Sequence, residues 1–212
     1  YPESSKLEEA KELLGDINTR IFLSTYPAPE KETYVVQKND VIIKVAAKMH
    51  TTPELIIRAN NLHSITLKIG QRISVSPADF SVIIDRPHSL IVVLNNGKFF
   101  KQYHFANASS ATAPHADNGK KSAPPPKPPK ISGKVTEKIA WLNGQRVTAF
   151  DKNYLDADHW IVISPPGHSL YSEHGAEGQP PGKPPGGGHA LTPEALQELA
   201  AMLNKNTPVT IE

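Results

Sequence analysis

The sequence predicts an α+β chain: a small strand–helix–helix–strand module followed by a mostly-β domain with one C-terminal helix. Three observations predict it. Apolar residues recur at helical spacing near both ends of the chain. Runs of β-branched residues bounded by turn residues recur between residues 79 and 163, on both sides of a proline-rich stretch. Between residues 33 and 76 both patterns occur in quick succession. At roughly 100–200 residues per domain, 212 residues make one large domain or two smaller ones. The expected division is an N-terminal helix and linker at 1–31, the small module at 32–78 and the larger domain at 79–212.

Residues 5–22 read as a helix. Ser5 and Glu8 have capping-box spacing. Leu7, Ala10, Leu14, Ile17 and Ile21 alternate in steps of three and four, which puts them on one face. That face is expected to pack on the neighbouring structure, with a protein partner as its other use. Pro27 and Pro29 mark a linker. Residues 33–37 read as a strand. Ile42, Val45, Ala46 and Met49 place an apolar stripe on a first helix. Thr52 and Pro53 open a second helix as cap and first residue, with Leu55, Ile56 and Ala59 facing inward. Residues 70–75 turn into a second strand.

Residues 80–84, 89–94 and 98–105 follow as strands, with Asn95-Asn96-Gly97 as a hairpin signal between the last two. Residues 107–130 read as a loop with a polyproline-like stretch. Strands are expected again at 134–139, 145–150 and 160–163. The Gly- and Pro-rich stretch at 175–188 is expected to be a mobile loop. Thr192-Pro193 opens a helix that reaches residue 203, and residues 207–211 form a last strand. Twenty prolines, about 9% of the chain against a usual ~5%, account for the irregular stretches.

Composition removes several function classes. Lys and Arg number 23 and Asp and Glu 21, for a net charge of +2. No basic run alternates with aromatics, so no nucleic-acid partner is expected. The chain has no cysteine, which excludes disulfides, iron–sulfur clusters, thiolate-bound zinc and every thiol nucleophile. No apolar run approaches the ~18–20 residues of a membrane span. No cofactor and no metal is expected. The chain opens on Tyr1 rather than Met, so removal of a signal or anchor segment is the expectation.

The module at 32–78 resembles a LysM domain. The residues that carry the likeness are Tyr34-Val35-Val36-Gln37-Lys38-Asn39-Asp40-Val41-Ile42, Ala46-Ala47-Lys48, Thr52-Pro53-Glu54-Leu55-Ile56, Arg58-Ala59-Asn60-Asn61-Leu62 and Ile69-Gly70-Gln71-Arg72-Ile73. Asn39-Asp40-Val41-Ile42 stands where that family usually has Gly-Asp-Thr-Leu. The resemblance implies binding of peptidoglycan or another N-acetylglucosamine glycan between two loops. These are Asn39, Asp40, Val41 and Ile42 after the first strand, and Asn60, Asn61, Leu62 and His63 after the second helix. The amides and the Asp40 carboxylate suit N-acetyl and hydroxyl groups, and Ile42 and Leu62 suit the apolar sugar face. Asp40 and Asn60 serve equally well as helix caps.

The second half resembles an L,D-transpeptidase domain of the YkuD type. The likeness rests on Ile84-Asp85, Leu90-Ile91-Val92-Val93, Asn96-Gly97-Lys98, Gly133-Lys134-Val135, His174-Gly175, and the ending from Leu191-Thr192-Pro193 to Val209-Thr210-Ile211. Active members carry a Ser-x-Gly-Cys-x-Arg motif whose cysteine accepts the acyl group. Counting back from Leu191, the Cys position falls on Gly188, followed by His189, with Ala190 at the Arg position. Of the motif, His174-Gly175 survives. Glycine offers no nucleophile, so the expected relic site is His174, Gly188, His189 and Ala190, without catalysis. The alternative is a cysteine-free peptidase or transferase built on His174, which would share a face with Ser172 if that segment were a strand. A zinc site from His168, His174 and His189 with Glu173 or Glu177 lacks a tight ligand spacing. Trp141 and Trp160 read as core or cleft wall, and Lys120, Lys121, Lys127 and Lys130 as loop-solvating charges. Together the two resemblances imply a non-catalytic cell-envelope protein, periplasmic or extracellular. Its large domain would be a scaffold or would bind peptide stems or a partner protein.

Overall fold

The computed structural model describes residues 6–106, 129–148, 151, 153–154, 157–172, 184 and 186–212. The N-terminal helix is α1 (Leu7–Phe22). The small module follows as β1 (Glu32–Val35), α2 (Ile42–Lys48), α3 (Pro53–Ala59) and β2 (Arg72–Val75). Its strands pair antiparallel, with Glu32 opposite Val75 and Val35 opposite Arg72. Tyr34, Val36, Ile42, Val45, Ala46, Ile56, Ile73 and Val75 form its core. The Thr52 hydroxyl accepts from the Leu55 amide at 2.9 Å, which caps α3 as its sequence requires.

The larger domain comprises β3 (Phe80–Asp85), β4 (Leu90–Asn95), β5 (Lys98–His104), β6 (Ile131–Leu142), β7 (Gln145–Val147), β8 (Asp158–Ser164), β9 (Ser169–Ser172), β10 (Gly188–Leu191), α4 (Pro193–Met202) and β11 (Pro208–Ile211). In space the sheet runs β10-β9-β8-β6-β11-β3-β4-β5, with β7 beside β6. β11 lies parallel to β3, and β10 parallel to β9. Just past β5, the Ala106 amide donates to the Ala190 carbonyl of β10 at 3.0 Å. The two ends of the sheet therefore meet, and the sheet curls around one core with α4 packed on it. Ile84, Ile91, Val93, Ile161, Leu170, Leu199 and Ile211 are fully buried there. The α+β class, with its small module ahead of a mostly-β domain, is thus observed directly. The Asn95-Asn96-Gly97 turn has φ of 51° at Asn96 and 73° at Gly97, the left-handed pair that a two-residue hairpin needs.

Several elements differ from their sequence reading. The stretch read as 134–139 is a twelve-residue strand. The strand expected at 145–150 ends at Val147, and 149–150 lie outside the described residues. β9 and β10 were not anticipated as strands. The latter begins at the end of the stretch expected to be a loop. Its four residues carry no alternating apolar pattern, and pairing with distant residues alone makes them a strand. Most of 107–130 and of 175–188 lies outside the described residues, as do His174 and Ser5. Glu8, the expected capping partner of Ser5, is engaged by Lys11 and Gln102, both at 2.8 Å.

The face of α1 is the largest correction. Leu14, Ile17 and Ile21 of the expected packing face are 46%, 44% and 38% exposed, and Leu13 is 62% exposed. The helix instead buries Gly15, Thr19 and Phe22 against β5. A Cβ on Gly15 would come within 2.9 Å of the Lys101 Cγ, so the missing side chain allows the close approach. The Asn18 amide donates to the Phe100 carbonyl at 2.7 Å, and Lys101 pairs with Asp16 at 3.1 Å. Phe22 sits edge-on against Phe100 with ring centroids 5.0 Å apart. β5 receives this side of the helix through the Phe100 carbonyl and ring, which take Asn18 and Phe22.

The small module is fastened to the large domain through α3. Leu55 belongs to the core of the large domain. Glu54, 5% exposed, accepts from Lys138 Nζ at 2.7 Å and from the Tyr154 hydroxyl at 3.1 Å. Lys138 also donates to the Ala200 carbonyl at 2.8 Å, and the Thr52 hydroxyl donates to the Ala201 carbonyl. Burial beside the Glu54 carboxylate pushes the Tyr154 hydroxyl pKa upward.

Candidate functional site

The end of β1 lies beside the start of β2, so the segments following β1 and preceding β2 leave the same end of the two-stranded ladder. The Val36 amide donates to the Gln71 carbonyl at 2.9 Å, and the Gly70 amide to the Val36 carbonyl at 2.8 Å. The loop after β1 turns at Asn39, whose φ is 69°. Asp40 holds that turn. Its carboxylate accepts from the Gln37 amide at 2.8 Å and from the Tyr34 hydroxyl at 2.7 Å. These two donors, the amide first, lower its pKa. The cap of α2 is Val41 rather than Asp40.

The loop after α3 is built around Asn60. Its side-chain amide donates to the Ile56 carbonyl at 2.8 Å and to the Ser74 carbonyl at 2.7 Å, and its oxygen accepts from the Ser74 amide at 2.7 Å. Asn60 therefore ties the end of α3 to β2, and its side chain has no spare donor. Asn61 adopts φ of 48°, and the Leu62 amide returns to the Ile57 carbonyl at 2.9 Å.

The eight residues expected to meet glycan thus fall into two groups. Asn39, Val41, Asn61 and His63 are exposed. Ile42 is buried in the core of the module, Leu62 is half-buried against it, and Asp40 and Asn60 hold the loops in shape. Ile42 cannot touch a sugar face, because the first turn of α2 points it inward. Ile69 carries part of the LysM likeness but is not among the residues expected to meet glycan. It is 71% exposed and precedes Gly70, which bonds the first loop. An isoleucine next to a turn glycine was the signal the sequence offered.

The expected relic site lies at β9 and β10. In register, Gly188 pairs with Ser169 and His189 with Leu170. A Cβ on Gly188 would stand 1.9 Å from the Ser169 carbonyl oxygen, so no side chain fits there. The His189 ring packs on Phe105 at 4.3 Å between centroids and stacks on His168 at 5.7 Å. His168 Nδ1 lies 3.4 Å from His189 Nε2. Burial, with the charges of His168 and Arg86, lowers the His189 pKa to about 4, and burial also lowers that of His168. Ala190 is buried with Trp160 and Tyr171, against which Ile139 and Trp141 pack. The two indoles are 5.5 Å apart, so both are built into the wall of the sheet. Among the described residues, no three His, Asp or Glu side chains converge as metal ligands. Of the loop lysines, Lys130 pairs with Glu212 at 2.7 Å, and Lys120, Lys121 and Lys127 lie outside the described residues. No described helix is long and apolar enough to cross a membrane.

Residues 34–76 match the LysM domain family. No curated protein matches the chain. Among solved structures, an L,D-transpeptidase from Mycobacterium smegmatis is 14% identical, with 68% of this chain and 63% of that one covered and a TM-score of 0.37. An L,D-transpeptidase from Stackebrandtia nassauensis is 19% identical over 63% of this chain and 55% of its own, with a TM-score of 0.36. An Enterococcus faecium L,D-transpeptidase is 14% identical over 97% of this chain and 82% of its own, with a TM-score of 0.37. The chain spans a little under two thirds of the first of these structures and about half of the second.

Proposed function

We propose that this chain is a non-catalytic, peptidoglycan-binding protein of the cell envelope, periplasmic or extracellular. In this reading the LysM domain holds an N-acetylglucosamine-containing glycan, and the large domain is a silent scaffold related to the L,D-transpeptidases. The LysM match at 34–76 carries the glycan half of the reading. Among the exposed groups on its two loops, Asn39, Val41, Asn61, His63 and Ile69 supply amide, imidazole and apolar contacts for a sugar. Asp40 and Asn60 shape the loops from behind.

The silence of the large domain is supported by two facts. The whole chain lacks cysteine. The position to which the nucleophile counts back is a glycine packed against a carbonyl, where even a methyl group has no room. Acyl transfer needs a nucleophile activated by a neighbouring base, and neither Gly188 nor Ala190 can supply one.

A protein partner on α1 is favoured by a separate observation. Leu7, Ala10, Leu14, Ile17 and Ile21 follow a heptad, and the described members from Leu14 onward face outward. A heptad seam fits another helix. Glu8, Glu9, Glu12 and Asp16 outnumber Lys11 and Arg20 on α1, so the fitting partner is an amphipathic helix with basic flanks.

Co-sedimentation with purified sacculi, followed by mass spectrometry of the muropeptides, tests the main reading. The full chain is expected to sediment, an Asn61→Gly/His63→Ala variant to remain largely in solution, and the muropeptides to stay unchanged. New or shortened stem peptides that disappear in His174→Ala would replace this reading with a cysteine-free enzyme.

A further inference from the structure

The two loops of the small module are each tied to its two-stranded ladder by a side chain. Asn60 ties the second: its amide group donates to the Ser74 carbonyl and accepts from the Ser74 amide, both at 2.7 Å. Tyr34 does the same for the first. Its ring is 9% exposed and belongs to the core of the module, a place that phenylalanine would fill as well. Its hydroxyl leaves that core and donates to Asp40 Oδ2 at 2.7 Å. The Lys48 ammonium of α2 lies over the same ring, 5.1 Å from its centre. Asp40 Oδ2 also accepts from the Gln37 amide at 2.8 Å, and the Asp40 amide donates to the Gln37 carbonyl at 3.2 Å. Those two bonds lie within the turn and give it shape. The Tyr34 bond runs from the turn to β1 and gives it a place. In the ladder, Thr33 stands opposite Ser74 and Tyr34 opposite Ile73. The anchors of the two loops therefore occupy neighbouring rungs.

We infer that Tyr34 is a positioning residue for glycan binding: acting through Asp40, its hydroxyl holds the first loop at the spacing from the second that a sugar requires. This rests on the glycan reading of the LysM domain and names the residue that spaces its two loops. Asn39 and Val41, exposed on the first loop, flank Asp40 in the chain, so they go where its carboxylate is held. A carboxylate is a strong acceptor for this purpose, since a hydrogen bond to an ionised group is roughly twice as strong as one between neutral groups. Without the hydroxyl the turn keeps its shape and loses its place. A sugar that contacts both loops at once binds only the molecules in which they are correctly spaced, so its apparent affinity falls with that fraction.

The test measures binding of the full chain to a soluble oligosaccharide of N-acetylglucosamine and to purified sacculi, with backbone amide order parameters recorded on the chain alone. Tyr34→Phe is expected to bind both probes about tenfold more weakly, the lower end of what one hydrogen bond to a charged group contributes. The order parameters of Asn39 and Val41 are expected to fall, and those of Ile56 and Ile73 in the core to stay at rigid values. In an Asp40→Ala background, Tyr34→Phe is expected to weaken binding no further, because the path through the carboxylate is already cut. Asp40→Asn keeps an oxygen that can accept both bonds and is expected to bind more tightly than Asp40→Ala. A role in packing alone would lower thermal stability and leave the two losses additive. Binding by Tyr34→Phe equal to that of the parent, additive losses in the double variant, or unchanged order at Asn39 and Val41 would overturn the inference and leave the glycan reading standing. A parent chain that binds neither probe would overturn the glycan reading, and the inference with it.

Discussion

Two adjacent asparagines divide the labour of one loop. Asn60 makes three hydrogen bonds to the backbone of α3 and β2, whereas Asn61 turns the chain and faces water. Asn60→Ala is expected to cost about 2–3 kcal/mol of stability, since it strands part-buried backbone groups. Asn61→Gly keeps the left-handed turn and is expected to leave the urea midpoint in place while weakening sacculus binding. A reversed pattern would reassign the loop. His159 sets an acid limit. Burial, with the Lys138 charge, holds its pKa at about 4, and its Nδ1 has no partner. An unfolded imidazole titrates near 6.5. The folded state thus favours the neutral ring. That contribution is whole above pH 6.5 and is lost as pH falls toward 4, up to about 3 kcal/mol. His189, also held at about 4, acts in the same direction. Urea midpoints measured from pH 7 to 4 are expected to fall, and to fall less in His159→Leu.

At the scale of elements, α1 and β10 show why a local pattern can mislead. The apolar stripe of α1 is genuine, but β5 takes the side of the helix that carries Gly15, Thr19 and Phe22. Phe22→Ala is therefore expected to cost about 3–5 kcal/mol, because it opens the cluster of Phe22, Phe80 and Phe100. Leu14→Asp/Ile17→Asp is expected to leave thermal stability within a few degrees of the parent and to abolish capture of a basic amphipathic helix. β10 is legible only through its neighbours. Gly188→Ala presses a methyl group on the Ser169 carbonyl and is expected to cost at least about 3 kcal/mol in urea unfolding. Gly188→Cys is expected to be as costly and to leave muropeptides unaltered.

At the scale of the molecule, the LysM domain is more than a tethered anchor. Leu55 enters the large core, and Glu54, Lys138 and Tyr154 close a buried polar junction beside it. Lys138→Met leaves the Glu54 charge buried and unmatched, which is expected to cost about 3–5 kcal/mol. Glu54→Gln/Lys138→Met is expected to recover much of that loss. Calorimetry is expected to give one cooperative transition for the full chain, and two separate transitions would show that the junction does not couple the parts.

What the sequence determined by itself was local. The Thr52-Pro53 start of α3, the Asn96-Gly97 hairpin, the strand–helix–helix–strand order and the absence of a thiol depend on residues close in the chain or on composition alone. So does the LysM likeness, whose residues are nearly contiguous. Only the tertiary structure decided which side of α1 is buried, that Gly188 has no room for a side chain, and that Asn60 supports while Asn61 is presented. Each of these depends on groups far apart in sequence, whose approach is set by sheet pairing and core packing rather than by any periodicity within a segment.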